Sequence, residues 1–209
     1  VHIVSIKLSL LKPLCAAALL CAAAAAQADI TVYTSQADFL AAVQAPGVDT
    51  YDDLTVMQYA DTLHRSAGAY TYDVYSATGI WGAGGEGGDY WLGNNKANYP
   101  IVFNHFGSGV TAFGGNFFGS NLIGEYTVGS VLLTAIDGSV VSYELTNATT
   151  TDFLGFVSST PLSAVTLGTT GPGYWPTANN VVLAVPEPAT YGMLLAGLGF
   201  VGLMSRRRS

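Results

Sequence analysis

Between Gly79 and Gly93 the sequence gathers Trp81, Glu86, Asp89, Tyr90 and Trp91 among seven glycines. Indole and phenol rings offer flat apolar faces that suit the C–H surfaces of sugars, acids accept from hydroxyls, and glycine lets a backbone approach a ligand closely. The segment reads as a loop with the chemistry of carbohydrate contact. The same rings would equally plug the end of a β-sandwich, and both readings stand at this point.

Other residues with chemical reach are dispersed. Glu86, Glu125 and Glu144 are the glutamates from which a glycosidase would draw its two facing carboxylates, but nothing in their spacing brings any two together. His64 and His105 have no partner at a metal-ligand spacing. Asp49, Asp52 and Asp53 form an acidic cluster that matches no calcium loop. Nucleophile elbow, HExxH, phosphate-loop and EF-hand patterns are missing. The expectation is a non-catalytic body with no cofactor and no metal; calcium is open only at the acidic cluster and has no motif behind it. A secreted glycan-active hydrolase is the alternative.

Charge narrows the partners. Arg65 and Lys96 are the only two cations between Asp29 and Glu187, against all 14 acids of the chain, a formal charge of −12. Phosphate binding relies on Lys and Arg releasing condensed counterions, so no nucleic-acid partner is expected.

The elements that must position these residues are strands. Without the end segments the chain is about 160 residues, long enough to bury roughly 68–70% of its unfolded surface in one core. It has no cysteine outside the amino-terminal segment, which holds Cys15 and Cys21. Glycine and aromatics are plentiful and long Glu/Lys/Arg-rich helical patterns are missing, which predicts an all-β sandwich or jelly-roll-like domain with one short helix. Ser35 caps that helix over Gln36 to Val43, ended by Pro46 and Gly47. Tyr70, Tyr72 and Val74 alternate with Thr71 and Asp73 as a half-buried strand. Val131 to Leu145 reads as a hairpin on a two-residue Asp137-Gly138 turn, pairing Ala135 with Val140, Leu133 with Ser142 and Leu132 with Tyr143. Ile30–Tyr33, Ile101–Asn104, Val110–Asn116, Phe153–Val157, Ala164–Leu167 and Asn180–Ala184 bring the predicted total to about eight to eleven strands.

Both ends read as address segments. Lys7 and Lys12 precede an apolar stretch from Leu14 to Ala26, and Ala26-Gln27-Ala28 has the small-x-small pattern of a signal-peptidase site, which predicts cleavage between Ala28 and Asp29. At the other end Val185-Pro186-Glu187-Pro188-Ala189-Thr190 leads into an uncharged run from Tyr191 to Met204 and then Arg206-Arg207-Arg208. Fourteen residues make about 21 Å of helix against a bilayer core of about 30 Å, so the run is a marginal span suited to temporary residence, with the arginines as a cytoplasmic stop.

This tail resembles the PEP-CTERM sorting signal of Gram-negative bacteria that make exopolysaccharide, a tail also called the ice-binding protein C-terminal domain. The resemblance implies that Pro186, Glu187 and Pro188 are the recognition motif of an exosortase, an intramembrane cysteine protease that removes the tail. It implies a partition into a signal peptide at 1–28, an extracellular β-sandwich at 29–184 and a sorting signal at 185–209. It also implies passage through the inner membrane to the cell surface or extracellular matrix, with exosortase and signal peptidase as processing partners and exopolysaccharide or surface glycan as the lasting one. Phe113-Gly114-Gly115-Asn116-Phe117-Phe118, the Asp137-Gly138 hairpin and Phe153-Leu154-Gly155-Phe156 are similar to the exported β-sandwich domains that precede such tails, a likeness that carries no catalytic residues with it.

Overall fold

The computed structural model describes residues 29–107 and 109–186. The signal segment through Ala28, and the tail from Glu187 with Pro188, Arg206, Arg207 and Arg208, lie outside the described residues. Fourteen strands and one short helix fill the described chain. The order is β1 (Ile30–Tyr33), α1 (Gln36–Ala41), β2 (Val43–Asp49), β3 (Thr62–Ala67), β4 (Tyr70–Tyr75), β5 (Ile80–Gly84), β6 (Tyr90–Asn94), β7 (Ile101–Asn104), β8 (Ala112–Ser120), β9 (Tyr126–Thr127), β10 (Gly129–Ile136), β11 (Val140–Ala148), β12 (Phe153–Ser158), β13 (Ala164–Thr169) and β14 (Trp175–Pro186).

Two antiparallel sheets form a sandwich. Sheet A runs β1-β12-β8-β14-β6-β5, with β2 added to β14 and β9 to β8; sheet B runs β11-β10-β13-β7-β4-β3. Alternation drives the assembly, because successive side chains in a strand point to opposite faces. On β4, Tyr72 and Val74 are buried while Thr71 and Tyr75 are exposed. Phe113 and Phe117 of sheet A meet Phe103 and Leu133 of sheet B in the main core. A second core lies where α1 seats Phe39 against Phe153, Val43, Ala112 and Val182, with the Phe39 and Phe153 rings 5.3 Å apart.

Four sequence expectations are corrected. The helix ends at Ala41, with Ala42 as its cap, so it does not reach Val43 and is not stopped by Pro46 and Gly47. Those residues lie inside β2. An edge strand tolerates proline, and a side chain at Gly47 would collide with the Ala67 carbonyl, its Cβ falling 2.0 Å from that oxygen. The Val131–Leu145 hairpin closes on three residues, pairing Ile136 with Val140, so Leu133 faces Tyr143, Ala135 faces Val141 and Leu132 faces Glu144. The cause is Asp137, whose carboxylate turns to the Ser139 N–H and hydroxyl at 2.9 and 2.6 Å. The segment from Gly79 to Gly93 is a strand hairpin, β5 and β6, joined by a tight turn over Glu86–Gly88. The strand number exceeds the predicted eight to eleven because β2, β3, β5, β6 and β9 gave no clear alternation.

Candidate functional site

On the outer face of sheet A, the β5–β6 hairpin, the first residues of β14 and the loop 121–125 border a shallow groove of about 100 Å³. Trp81 of β5 and Trp175 at the start of β14 line it, both half-buried. Strand pairing puts them on one face: Trp81 opposes Gly93 on β6, and Trp175 opposes Ser120 on β8. Gly93 and Ser120 accordingly form part of the floor.

The local sequence dictates this geometry. At Gly82 a Cβ would lie 2.1 Å from the Thr55 carbonyl oxygen, so the close crossing of the chain over β5 admits glycine alone. The loop 121–125 staples itself. The Asn121 carboxamide oxygen accepts from the N–H groups of Ile123 and Glu125, both at 3.0 Å, and its amide nitrogen donates to the Glu125 carboxylate at 3.1 Å. Gly84 N–H then donates to the Gly124 carbonyl at 2.8 Å and docks the loop on the hairpin.

Polar groups complete the lining. Asn94 follows Gly93 and pairs with the core residue Ile80, so its backbone borders the groove while its side chain, 4% exposed, turns to the other face and donates to the Tyr99 carbonyl at 2.6 Å and to the Ser76 hydroxyl at 3.4 Å. Ser120 accepts from the Thr177 hydroxyl at 2.7 Å. Asn95 is exposed at the rim, the Asn121 side chain is engaged within its own loop, and none of the lining residues is Lys, Arg, Asp or Glu.

The aromatic and acidic residues singled out in the sequence have separate places. Trp81 lines the groove. Trp91 packs edge-on against Phe118 with ring centroids 4.9 Å apart, and its indole N–H donates to Asp89 at 2.9 Å. Asp89 also accepts from the Asn179 amide at 2.8 Å, so it ties the hairpin to β14. Tyr90 packs against the main core, and Glu86 is exposed at the hairpin turn. Trp175 was missed by the sequence reading; its signal is the aromatic pair Tyr174-Trp175 inside a Gly/Pro-rich stretch. Among the described residues Glu86, Glu125 and Glu144 share no hydrogen-bond partner, and Glu144 accepts from Thr170 on the sheet B side at 3.0 Å.

Two clusters of charge lie elsewhere. The Arg65 guanidinium bonds Asp49 at 2.6 and 2.9 Å and Asp53 twice at 2.7 Å, and stands 5.2 Å from the centre of the Tyr51 ring. Any calcium ion at this acidic cluster would have to displace Arg65. Burial opposes the Arg65 charge, yet the Asp53 and Asp49 hydrogen bonds hold its pKa above the ordinary value. Burial and the nearby Asp49 push the Tyr51 phenol up. Asp73 is shared by His64 and His105, at 2.6 and 2.9 Å from their Nδ1 atoms. Burial works to raise the Asp73 pKa, and the two histidine hydrogen bonds outweigh it to give a net lowering. Among the described residues no three His, Cys, Asp or Glu side chains are placed to hold a metal ion.

Residues 184–208 match the family profile described as PEP-CTERM protein-sorting motif. No curated protein matches the chain. No helix among the described residues is long and apolar enough to cross a membrane. The matched segment begins inside β14, at Ala184, and takes in the Pro186 that ends that strand. The chain therefore carries a PEP-CTERM protein-sorting motif that overlaps the end of the last described strand, and this marks an exported protein that an exosortase sorts and processes at the membrane.

Proposed function

We propose that the protein is a non-catalytic component of the cell surface or extracellular matrix of a Gram-negative bacterium, released from the membrane by an exosortase and associated there with exopolysaccharide. The observation that carries this reading is the sorting motif at 184–208, which starts within the last residues of β14. Two features support the glycan part. The groove combines indoles with uncharged amides and a hydroxyl, the usual make-up of a cleft for a neutral, hydroxyl-rich ligand. The anionic body, with two cations against 14 acids between Asp29 and Glu187, is soluble outside the cell and repels nucleic acid. Removal of the amino-terminal segment at Ala28 and Asp29 by signal peptidase precedes these steps, and membrane contact is transient.

The test is cell fractionation in the producing organism. In the parent strain a tail-less form accumulates at the surface and with the exopolysaccharide. In a strain without its exosortase, or with Pro186 and Pro188 changed to Ala, a form that keeps the Arg206–Arg208 tail stays in the membrane fraction. An identical size and distribution in all strains would overturn the sorting reading.

A further inference from the structure

We propose that the groove between Trp81 and Trp175 is a binding site for neutral polysaccharide, one that selects uncharged pyranose units against uronate or sulfated ones. The proposal rests on the matrix-glycan reading above and gives that reading its contact residues and ligand class.

Three observations carry it. The two indoles stand on one outer face of sheet A, half-exposed in the free protein, with Trp81 on the edge strand β5 held in register by β6 and Trp175 on β14 held in register by β8. Rigid aromatic faces on strands bind at small entropic cost, and apolar C–H faces of sugar rings are their natural complement. Next, the exposed Asn95 amide and the Ser120 hydroxyl border the groove and offer uncharged hydrogen-bond partners to sugar hydroxyls.

The third observation is the charge. Recognition of a carboxylate or sulfate calls for Arg or Lys, and the lining has neither. Arg65 is engaged by Asp49 and Asp53, and Lys96 lies over the Tyr99 ring, its ammonium 5.8 Å from the ring centre. The surplus of acids on the body adds a repulsive field for any polyanion. An uncharged chain of sugars meets no such barrier.

Gly93 offers a test that leaves the aromatics intact. A Cβ there would meet its nearest neighbours, the Trp81 and Pro176 carbonyl oxygens, at 3.6 and 3.7 Å, which is ordinary contact, so Gly93→Val fills the floor of the groove without a backbone clash. Calorimetric titration of the detergent-purified full chain with cellohexaose, mannohexaose and an alginate hexamer, alongside Trp81→Ala, Trp175→Ala, Gly93→Val and the control Trp91→Phe, gives the readout. At least one neutral hexamer binds the parent and Trp91→Phe, each of the other three variants weakens it by roughly tenfold or more, and alginate binds far less. Neutral binding that is equal in all variants overturns the groove and leaves the matrix-glycan reading standing. Preference for alginate overturns the ligand class. If no hexamer binds, co-sedimentation with the organism's own exopolysaccharide separates the two failures: association there, unchanged by Gly93→Val, sinks the groove alone, and no association sinks both.

Discussion

Asp137 shows how much one carboxylate can organise. Its oxygens accept from the Ser139 N–H and hydroxyl, from the Ser158 hydroxyl, and from the Thr160 hydroxyl at 3.3 Å. The β10–β11 turn in sheet B is thereby tied to the end of β12 in sheet A. Burial works to raise the Asp137 pKa, and the hydrogen bonds from Ser139, Ser158 and Thr160 outweigh it, so the folded value is lowered. A lowered folded pKa means that the stabilisation is complete above the unfolded value near 4 and is lost as pH falls through the folded value. Asp137→Asn is therefore expected to cost about 1–2 kcal/mol at pH 7, with the gap from the parent closing in more acid solution. Urea unfolding of both proteins at neutral pH and near pH 3 checks this. A gap of constant size would show that the carboxylate's charge does not matter there. Asp73, lowered by His64 and His105 against the opposing effect of burial, adds a contribution of the same sign on the same acid limb.

At the scale of elements, α1 is the clearest case of local sequence and packing in agreement. Ser35 accepts from the Asp38 N–H at 3.3 Å as the cap read from the sequence, and Phe39 carries the helix onto sheet A. The seat for that ring is Gly155 on β12, where a Cβ would stand 2.4 Å from the Phe39 ring. Phe39→Ala is expected to destabilise by about 3–5 kcal/mol through lost burial and the cavity it leaves. Gly155→Ala destabilises the parent but much less in the Phe39→Ala background, where the ring is gone, and a double-mutant cycle in denaturant measures that coupling. Additive effects would place the strain elsewhere. Elements with strong periodicity were legible: β4 through Tyr70, Tyr72 and Val74, and β7 at its observed bounds. Others were hidden for particular reasons. β3 turns Arg65 towards Asp49, so its alternation contains a charge where an apolar residue is expected. In β2, Pro46 and Gly47 resemble a helix stop, but an edge position and a close crossing explain them. In β5 and β6 the glycines required by packing masked a strand signal. The groove was half legible, because Trp81 stood out by its neighbours whereas Trp175 joins it only through the β8–β14 register.

The whole molecule is arranged along β14. This strand runs from Trp175 at the groove to Pro186 at the sorting motif, twelve residues or roughly 35–40 Å at strand rise, shortened by its irregular registers. Thr31 of β1, Val157 of β12, Ala112 of β8 and Ala184 of β14 pair in one row across sheet A, so the amino-terminal and carboxyl-terminal strand ends leave the body on the same side. Only Glu187, Pro188, Ala189 and Thr190 separate Pro186 from the apolar run that starts at Tyr191. With the tail in a membrane, the expected arrangement is a body that stands with its Val43–Pro186 end near the lipid and its Trp81–Trp175 end away from it. Energy transfer reads this directly. In a background with Cys15 and Cys21 changed to Ser, a donor dye on Ala41→Cys, two residues before the Val43 that pairs with Pro186, is compared with one on Leu122→Cys in the loop that borders the groove. In vesicles carrying acceptor-labelled headgroups, the full chain gives strong transfer from position 41 and weak transfer from position 122, and both signals vanish once an exosortase frees the body. Equal transfer from the two positions would mean that the sandwich lies flat on the bilayer, with its groove no better presented to a surrounding polysaccharide than its base.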